Sequence, residues 1–134
     1  MPEWWVFDVD GSVVDLLTGG SLRPGTHELL THLKREHNTV IWWSAGGDDY
    51  AARRAEQLGV AHLVDAFHAK DERDHTGRYV ADHVAEDGVA LVFVDDRPED
   101  LPLDAVVVAV APYLTHNPHD RGLAPAARRA GLDD

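Results

Sequence analysis

Apolar residues along this chain alternate between short unbroken runs and stretches in which they recur every three or four positions. Unbroken runs rich in Val, Trp and Phe predict buried strands, and the three-to-four spacing predicts amphipathic helices. Strands are predicted at residues 4–8, 39–43, 89–94 and 105–110, and helices after residue 26 and within 51–58, 76–86 and 125–130.

Turn-forming residues mark the ends of several elements. Arg23-Pro24-Gly25-Thr26 is a helix-start signal, because proline and glycine punctuate the chain just before the apolar stripe begins. Asp48 is a candidate N-cap of the second helix, and Gly59 is expected to close it. Asp87-Gly88 predicts the end of the third helix.

The remaining segments complete the expected fold. Within residues 60–69, Leu63-Val64 and Ala66-Phe67 are expected to form a short strand, and residues 105–110 are β-branched enough to suit burial on both faces. Residues 12–22 predict a small hairpin or flap, and residues 112–134 a tail with one short helix. Strands alternating with helices predict an α/β fold, a three-layer doubly wound parallel sheet of about five strands, in a single domain spanning 1–134.

Composition narrows the class of protein. The 134 residues, 44% hydrophobic and 27% charged, are typical of one soluble globular domain. The longest uncharged apolar run, residues 105–114, is far shorter than the roughly 20 residues of a membrane span. The absence of cysteine excludes disulfides, thiolate metal ligands and a cysteine nucleophile. With no signal peptide visible at the N-terminus, a cytoplasmic location is expected.

The net charge of −12 argues against nonspecific nucleic-acid binding, which depends on Lys and Arg neutralising phosphates. It is compatible with a phosphorylated substrate bridged by a metal, because a bound cation inverts the local charge. The simplest interpretation of the charge is a solvated acidic surface, and the sequence leaves the oligomeric state open.

Four apolar runs each end in a reactive or charged group. Asp8 and Asp10 follow the first strand, Ser44 the second, Lys70 the third, and Asp95-Asp96 the fourth. In an open α/β sheet, ligands bind outside the carboxyl ends of the parallel strands. The four ends are therefore expected to converge on one pocket suited to a divalent cation and a phosphoryl group.

The first of these ends has the chemistry of a phosphoryl-transfer site. Asp8 and Asp10 are two apart on an extended segment, so their side chains start on the same face. One carboxylate can attack phosphorus and the other can exchange a proton with the leaving group and water. Gly11 permits a sharp turn and a close approach to a ligand. By itself, Asp-x-Asp-Gly also occurs in turns and calcium loops.

The acidic pair at the fourth end predicts a metal site. Adjacent carboxylates at a buried strand end repel each other unless a cation or donors satisfy them, and Mg²⁺ suits such ligands. The alternative is a solvated turn in which Arg97 pairs locally with Asp95 and Asp96. The buried run that precedes the pair favours the metal.

Ser44 and Lys70 are weaker signals when each is taken alone. The Ser44 hydroxyl, with the backbone amides of residues 45–47, suits a phosphoryl oxygen, but a serine at a strand end is usually a turn cap. Lys70 suits neutralisation of phosphoryl charge, but an isolated lysine is usually a surface residue. Ser44 and Lys70 become informative because they occur together with the two acidic motifs, in this order along the chain.

Together the four segments resemble the haloacid dehalogenase (HAD) superfamily of phosphohydrolases. The family's first motif, Asp-x-Asp-Gly-Thr/Ser, matches residues 8–12, and its fourth, an acidic pair after an apolar strand, matches residues 95–96. Its second motif, an apolar strand ending in Ser or Thr, matches Ser44, and its third, a lysine, matches Lys70. The resemblance covers residues 4 to about 110 and implies a Rossmann-like core.

The resemblance also implies roles for these residues in a phosphatase. Asp8 is the expected nucleophile and Asp10 the general acid/base, while Ser44, Lys70 and Gly11 are the expected phosphate-binding residues. The second aspartate of the first motif is the phosphatase-type arrangement in this family.

The expected cofactor is Mg²⁺. By the same resemblance it is held by Asp8, the main-chain carbonyl of Asp10, and Asp95, with Asp96 in support. The expected reaction is hydrolysis of a phosphomonoester through an aspartyl-phosphate.

Members of the superfamily often carry an inserted cap domain, and this chain has no room for one. The segments between Gly11 and Ser44 and between Ser44 and Lys70 are filled by the predicted flap, helices and strands. Capless relatives often act on large substrates, such as nucleic-acid ends or phosphoproteins. The run Asp95-Asp96-Arg97 is also similar to that in the phosphatase domain of polynucleotide kinases. Arg97, beside the acidic pair, and the flap are candidate contacts for a large substrate.

Two other classes fit part of the pattern. A receiver-like phospho-accepting signalling domain has a similar size and sheet, but there the acidic pair comes on the first strand, whereas here it comes on the fourth. A HAD-like module that binds phosphate or a partner without turnover is the second alternative, and the complete set of catalytic groups favours the enzyme.

His116 and His119 are candidates for pocket or metal residues but more typical of a surface loop. The four tryptophans are predicted to pack in the core rather than stack on bases: Trp4, Trp5, Trp42 and Trp43.

Overall fold

The computed structural model of the protein describes residues 2–70, 90–98, 101 and 106–132. In this part of the chain five strands form one parallel sheet in the order β3-β2-β1-β4-β5. The strands are β1 (Trp4–Asp8), β2 (Thr39–Ser44), β3 (Ala66–Ala69), β4 (Leu91–Asp95) and β5 (Val106–Ala109). The helices are α1 (Thr26–Arg35), α2 (Asp48–Gln57) and α3 (Ala124–Arg129), and Ala61–Leu63 form a 3₁₀ turn.

The strand order confirms the predicted doubly wound sheet. The chain moves outward from β1 through β2 to β3, and then continues on the other side of β1 with β4 and β5. Val6 pairs with Ile41 on one side and with Phe93 on the other, so β1 lies at the centre. The order of the strands reverses between β1 and β4, which is where doubly wound sheets bind their ligands.

Both faces of the central strands are buried, which explains their unbroken apolar runs. Trp5 and Phe7 pack in the larger hydrophobic cluster, together with the leucines of α1. Val6 points to the opposite face, where it packs with Trp43 and Phe93. Trp5, Trp42 and Trp43 are buried and Trp4 is partly buried, so the predicted core role of the tryptophans is confirmed.

Helix α2 ends as predicted but begins differently. Gly59 adopts a left-handed conformation (φ 78°), its N–H donates to the Glu56 carbonyl, and the Val60 N–H donates to the Ala55 carbonyl. This pair of bonds is a Schellman motif. The prediction of Asp48 as N-cap was wrong, because Gly47 (φ 104°) takes that position and Asp48 is the first helical residue.

Two strand predictions need correction. Leu63 lies in the 3₁₀ turn and Val64 is outside any strand, so the third strand contains only the Ala66–Ala69 part of the expected segment. Strand β5 pairs with β4 at the edge of the described sheet, and Val106 is 40% exposed. Its expected burial on both faces was therefore wrong, because β-branched composition does not reveal which strand lies at an edge.

Some predicted elements lie outside the described residues: the helix at 76–86, its stop at 87–88, and the first residues of the strands expected at 89 and 105. The final helix is confirmed with its start one residue earlier than predicted. Among the described helices, none is long and apolar enough to cross a membrane.

The predicted flap, residues 12–22, is tied to the C-terminal tail by backbone hydrogen bonds. The Leu16 N–H donates to the Tyr113 carbonyl and the Leu17 N–H to the Leu114 carbonyl, both at 2.9 Å. Within the flap, Val14 forms bridges with Asp10 and with Leu22. The tail therefore runs beside the flap and holds it in place.

A buried ion pair joins the base of the flap to the tail. The Arg23 side chain is 0% exposed, and its Nε donates to Asp120 Oδ2 at 2.6 Å. Its guanidinium also donates to the Ser12 carbonyl and lies 5.4 Å from the centre of the Tyr113 ring. A buried arginine needs such partners, since an uncompensated buried charge is strongly destabilising.

The turn of the flap is organised by Asp15. Its carboxylate accepts hydrogen bonds from the backbone N–H and the hydroxyl of both Thr18 and Ser21, at 2.6–2.9 Å. Although burial opposes the charged form, these bonds hold the pKa of Asp15 well below its usual range. The flap is therefore a structured turn built around a carboxylate.

Candidate active site

The four predicted strand ends meet at one edge of the sheet, as expected. Asp8 ends β1, Ser44 ends β2, Lys70 follows β3, and Asp95 ends β4. They line a pocket of about 370 Å³. Its described lining consists of Asp8, Asp10, Leu16, Trp43, Ser44, Ala45, Lys70, Asp95, Asp96, Arg97 and Leu101.

Two donors from different parts of the chain hold the Asp8 carboxylate. Lys70 Nζ donates to Asp8 Oδ1 at 2.7 Å, and the Ser12 hydroxyl donates to Asp8 Oδ2 at 3.0 Å. The Asp8 side chain is only 10% exposed. Because each carboxylate oxygen accepts one of these hydrogen bonds, the orientation of the Asp8 side chain is fixed. Ser12 belongs to the first motif, but no pattern in the sequence indicates its contact with Asp8.

Lys70 lies between two carboxylates. Its Nζ is 3.9 Å from Asp95 Oδ2 and 4.5 Å from the centre of the Trp43 ring. Its backbone N–H donates to the Ser44 carbonyl at 2.8 Å, which continues the pairing of β3 with β2. Strand pairing therefore delivers the ammonium group to the acidic edge, and an aromatic face supports it there.

Burial is the largest influence on the pKa values of Asp8 and Asp95. It raises the pKa of Asp8 to about 7 in spite of the Lys70 ammonium, and Asp95 and Asp96 add to the rise. Burial also raises the pKa of Asp95, against the hydrogen bond from the Arg97 N–H and the charge of Lys70. One lysine is insufficient to neutralise this cluster.

The acidic cluster has the form of a divalent-cation site. Oxygen atoms of Asp8, Asp95 and Asp96 lie within 4.8 Å of one another, and no other such group of His, Asp or Glu occurs among the residues described. Carboxylate oxygens are the ligands that Mg²⁺ prefers, and a cation would relieve the repulsion that raises these pKa values. The residues present therefore fit the expected metal.

Gly11 allows the first motif to pack against the fourth. It has φ 87°, and a β-carbon added there would lie 2.7 Å from Asp96 Oδ2. Its N–H donates to the Val14 carbonyl, and its carbonyl accepts from the Tyr113 N–H. Both backbone groups are thus engaged in the flap, and the visible role of Gly11 is the close approach to Asp96 rather than a free N–H for phosphate.

Asp10 is held by a tyrosine that the sequence analysis missed. The Tyr50 hydroxyl donates to Asp10 Oδ1 at 2.6 Å. Burial and this hydrogen bond raise the pKa of Tyr50, so it remains a protonated donor at neutral pH. The signal in the sequence was its place in the first turn of α2, which begins shortly after Ser44 at the same edge of the sheet.

Ser44 and Arg97 occupy the other sides of the pocket. The buried Ser44 hydroxyl accepts a hydrogen bond from the Gly46 N–H at 3.0 Å, so it caps the turn and also lines the pocket. The Arg97 N–H donates to Asp95 Oδ1 at 2.7 Å, while the residue itself is exposed at the rim. His116 and His119 are both exposed, and neither contributes to the acidic cluster.

The sheet and its acidic strand ends are those of a HAD-superfamily phosphatase, as the sequence motifs predict. Within that class, the chain belongs to the NLI interacting factor-like phosphatase family, whose model matches residues 7–129. The described segments 11–44 and 44–70 contain the flap, α1, α2 and their strands, and no cap domain.

Among solved structures, the chain is similar to a 4-nitrophenylphosphatase from Thermotoga maritima. The two are 24% identical with a TM-score of 0.44, and the match covers 69% of this chain. It covers 34% of the other chain, so this protein spans about a third of that relative's length. No curated protein matches the sequence.

Proposed function

We propose that this protein is a magnesium-dependent phosphomonoester hydrolase that works through an aspartyl-phosphate on Asp8. The observation that carries the proposal is the placement of Asp8. It ends the central strand, lies in the pocket beside Asp10, and is hydrogen-bonded to Lys70 within an acidic cluster. Aspartate carboxylates are known nucleophiles toward phosphorus.

In this proposal, Mg²⁺ is held by Asp8, Asp95 and the main-chain carbonyl of Asp10, with Asp96 in support. The three carboxylates of that set are the cluster whose oxygens lie within 4.8 Å of one another. When bound, the ion neutralises acidic charge and helps to attract and orient a phosphate dianion.

In the first step, a carboxylate oxygen of Asp8 forms a bond to phosphorus while the bond from phosphorus to the ester oxygen breaks. Asp10 gives its proton to that oxygen, so the product leaves as a neutral alcohol. Lys70 neutralises negative charge near the attacking carboxylate and the phosphoryl oxygens. The Ser44 hydroxyl, which lines the pocket, supplies a further hydrogen bond to phosphate, whereas the N–H groups of Gly46 and Gly47 are already bonded to Ser44.

In the second step, Asp10, now ionised, takes a proton from a water molecule as its oxygen attacks phosphorus. The bond between phosphorus and the Asp8 oxygen breaks, and inorganic phosphate leaves. Asp8 regains its carboxylate and Asp10 regains its proton, so the cycle closes. Both residues line the same pocket, which this exchange requires.

The open pocket favours a large substrate, such as a nucleic-acid end or a phosphoprotein. No cap domain lies in the described segments beside the site, and Arg97 and the flap form the rim. Because little surface surrounds a small leaving group, binding energy must come from contacts outside the pocket. Arg97 is the proposed contact for that larger body.

A metal-dependent turnover assay tests this function. Purified protein is incubated with a chromogenic phosphomonoester and with a panel of phosphopeptides and oligonucleotide 3′-phosphates, with Mg²⁺ or with EDTA. We expect turnover with Mg²⁺, loss with EDTA, and no activity in Asp8→Asn. Phosphate binding without turnover of any ester would favour the binding module. Phosphorylation of Asp8 that persists without hydrolysis would favour the receiver-like domain.

A further inference from the structure

Tyr50 is a residue outside the expected motifs that contacts a proposed catalytic group directly. Its hydroxyl lies 2.6 Å from Asp10 Oδ1, although the two residues are 40 positions apart. Asp10 is not part of a strand. It follows β1 in the turn that enters the flap, where a single bridge links it to Val14. The hydrogen bond from Tyr50 therefore constrains a side chain whose backbone lies outside the regular sheet.

The Tyr50 ring is held from several sides. The guanidinium of Arg54, one helical turn later, lies 5.2 Å from the ring centre. Gly19, at the tip of the flap, packs so closely that a β-carbon there would lie 2.8 Å from the Tyr50 hydroxyl oxygen. A β-carbon added at Gly46 would likewise lie 2.9 Å from a ring carbon of Tyr50. These contacts leave the hydroxyl little freedom to turn away from Asp10.

We propose that Tyr50 is a positioning residue that orients Asp10 for proton transfer. By donating to Oδ1, it leaves Oδ2 as the oxygen that carries the proton and directs it into the pocket. A carboxylic acid tethered at one oxygen has a defined donor at the other, and proton transfer depends strongly on that geometry. This inference rests on the proposed phosphatase function, since it assigns Tyr50 a part in the same reaction.

The departure of the leaving group provides a selective test. A 4-nitrophenolate ion leaves readily without a proton, whereas an alkoxide needs one from Asp10. The value of kcat/KM covers the steps up to departure of the alcohol and excludes the later hydrolysis. We therefore compare 4-nitrophenyl phosphate with benzyl phosphate, which has a similar ring and a far more basic leaving oxygen, for wild type and Tyr50→Phe.

We expect Tyr50→Phe to lower kcat/KM for benzyl phosphate about ten- to a hundredfold, less than the roughly hundred- to ten-thousandfold contribution of a general acid because Asp10 is misplaced rather than removed, and to lower kcat/KM for 4-nitrophenyl phosphate less than about threefold. Tyr113→Phe is the matched control. It removes a tyrosine hydroxyl that accepts from the Asn117 N–H and lies 3.4 Å from the Ser21 hydroxyl, outside the pocket lining, so it should not change the ratio of the two values.

Each result has a distinct meaning. Equal losses for both esters in Tyr50→Phe, or no loss for either, would overturn the inference while leaving the phosphatase function intact. No turnover by wild-type protein of these esters, of phosphopeptides or of oligonucleotide 3′-phosphates would instead overturn the proposed function. If Tyr50→Phe does not fold, Gly19→Ala provides the test, because its β-carbon would lie 2.8 Å from the Tyr50 hydroxyl oxygen, so that either this hydroxyl or the left-handed turn at Gly19 (φ 67°) must shift. It should then reproduce the selective loss for benzyl phosphate, and a uniform loss would overturn the inference.

Discussion

Lys70 Nζ lies 2.7 Å from Asp8 Oδ1, across 62 positions of sequence, so the two proposed partners in phosphoryl transfer are already in contact. The bond occupies one oxygen of the proposed nucleophile, and the Ser12 hydroxyl occupies the other. The ammonium group also lies within 3.9 Å of Asp95. Lys70 therefore stabilises the acidic edge of the sheet.

Replacing this lysine should remove most of the activity. We expect Lys70→Met to lower kcat/KM for a phosphomonoester about a hundred- to a thousandfold. Removal of one group that stabilises transition-state charge typically lowers the rate of an enzyme by about this factor. Steady-state kinetics with saturating Mg²⁺ would measure the loss. Lys34→Met is the control, since Lys34 pairs with the exposed Asp65 at a distance from the pocket. Similar activity in the two variants would contradict the role of Lys70.

The first two aspartates should fail in different ways. Asp8→Asn should abolish both the phosphoenzyme and turnover, because the amide is a poor nucleophile. Asp10→Asn should still form the phosphoenzyme from 4-nitrophenyl phosphate, but hydrolyse it about a hundred- to ten-thousandfold more slowly. Rapid acid quench with labelled substrate distinguishes the two. Equal and mild effects from both substitutions would contradict the assignment.

The acidic cluster also predicts how stability depends on pH without a divalent cation. The folded pKa of Asp8, about 7, lies above the unfolded value of roughly 4. The folded state therefore holds this proton more tightly, and stability falls as pH rises from about 4 to about 7 and then levels off. Thermal unfolding in EDTA should show this slope in wild type, and Asp8→Asn should flatten it.

Mg²⁺ should reverse that loss. Because the ion binds the ionised carboxylates of the folded state, its stabilising effect should increase with pH over the same range. A wild-type unfolding midpoint that is unchanged by Mg²⁺ at pH 8 would argue against the metal site.

Arg97 should affect extended substrates more than small ones. It is exposed at the rim of the pocket, and its contact with Asp95 is made by the backbone N–H, which a substitution retains. We expect Arg97→Ala to raise KM for a phosphopeptide or an oligonucleotide 3′-phosphate several-fold, with less change for 4-nitrophenyl phosphate. Efficient turnover of a small metabolite by a monomer would contradict the open-site argument.

The convergence of Asp8, Ser44, Lys70 and Asp95 could be predicted because it follows from chain direction alone. Parallel strands end at one edge, so a polar group that follows an apolar run is delivered there whatever the details of packing. The same logic predicted the doubly wound sheet.

The contacts of Tyr50 with Asp10 and of Arg23 with Asp120 could not be predicted in this way. They depend on side-chain rotamers and on the path of the flap and the tail. These two segments show no periodic spacing of apolar residues from which a path could be predicted. Asp48 shows a related limit, because the conformation of Gly47 placed the helix cap one residue before the residue with the favoured side chain.

The pairing of Arg23 with Asp120 has a consequence for how the protein is made. Asp120 follows Arg23 by 97 positions, and Arg23 is fully buried in the finished fold. During synthesis on the ribosome, the arginine emerges long before its partner and must stay hydrated, since burying an unpaired guanidinium is costly. The ion pair that joins the base of the flap to the tail therefore forms only after residue 120 has been added, and a nascent chain that already contains Asp8, Ser44, Lys70 and Asp95 still lacks this tie.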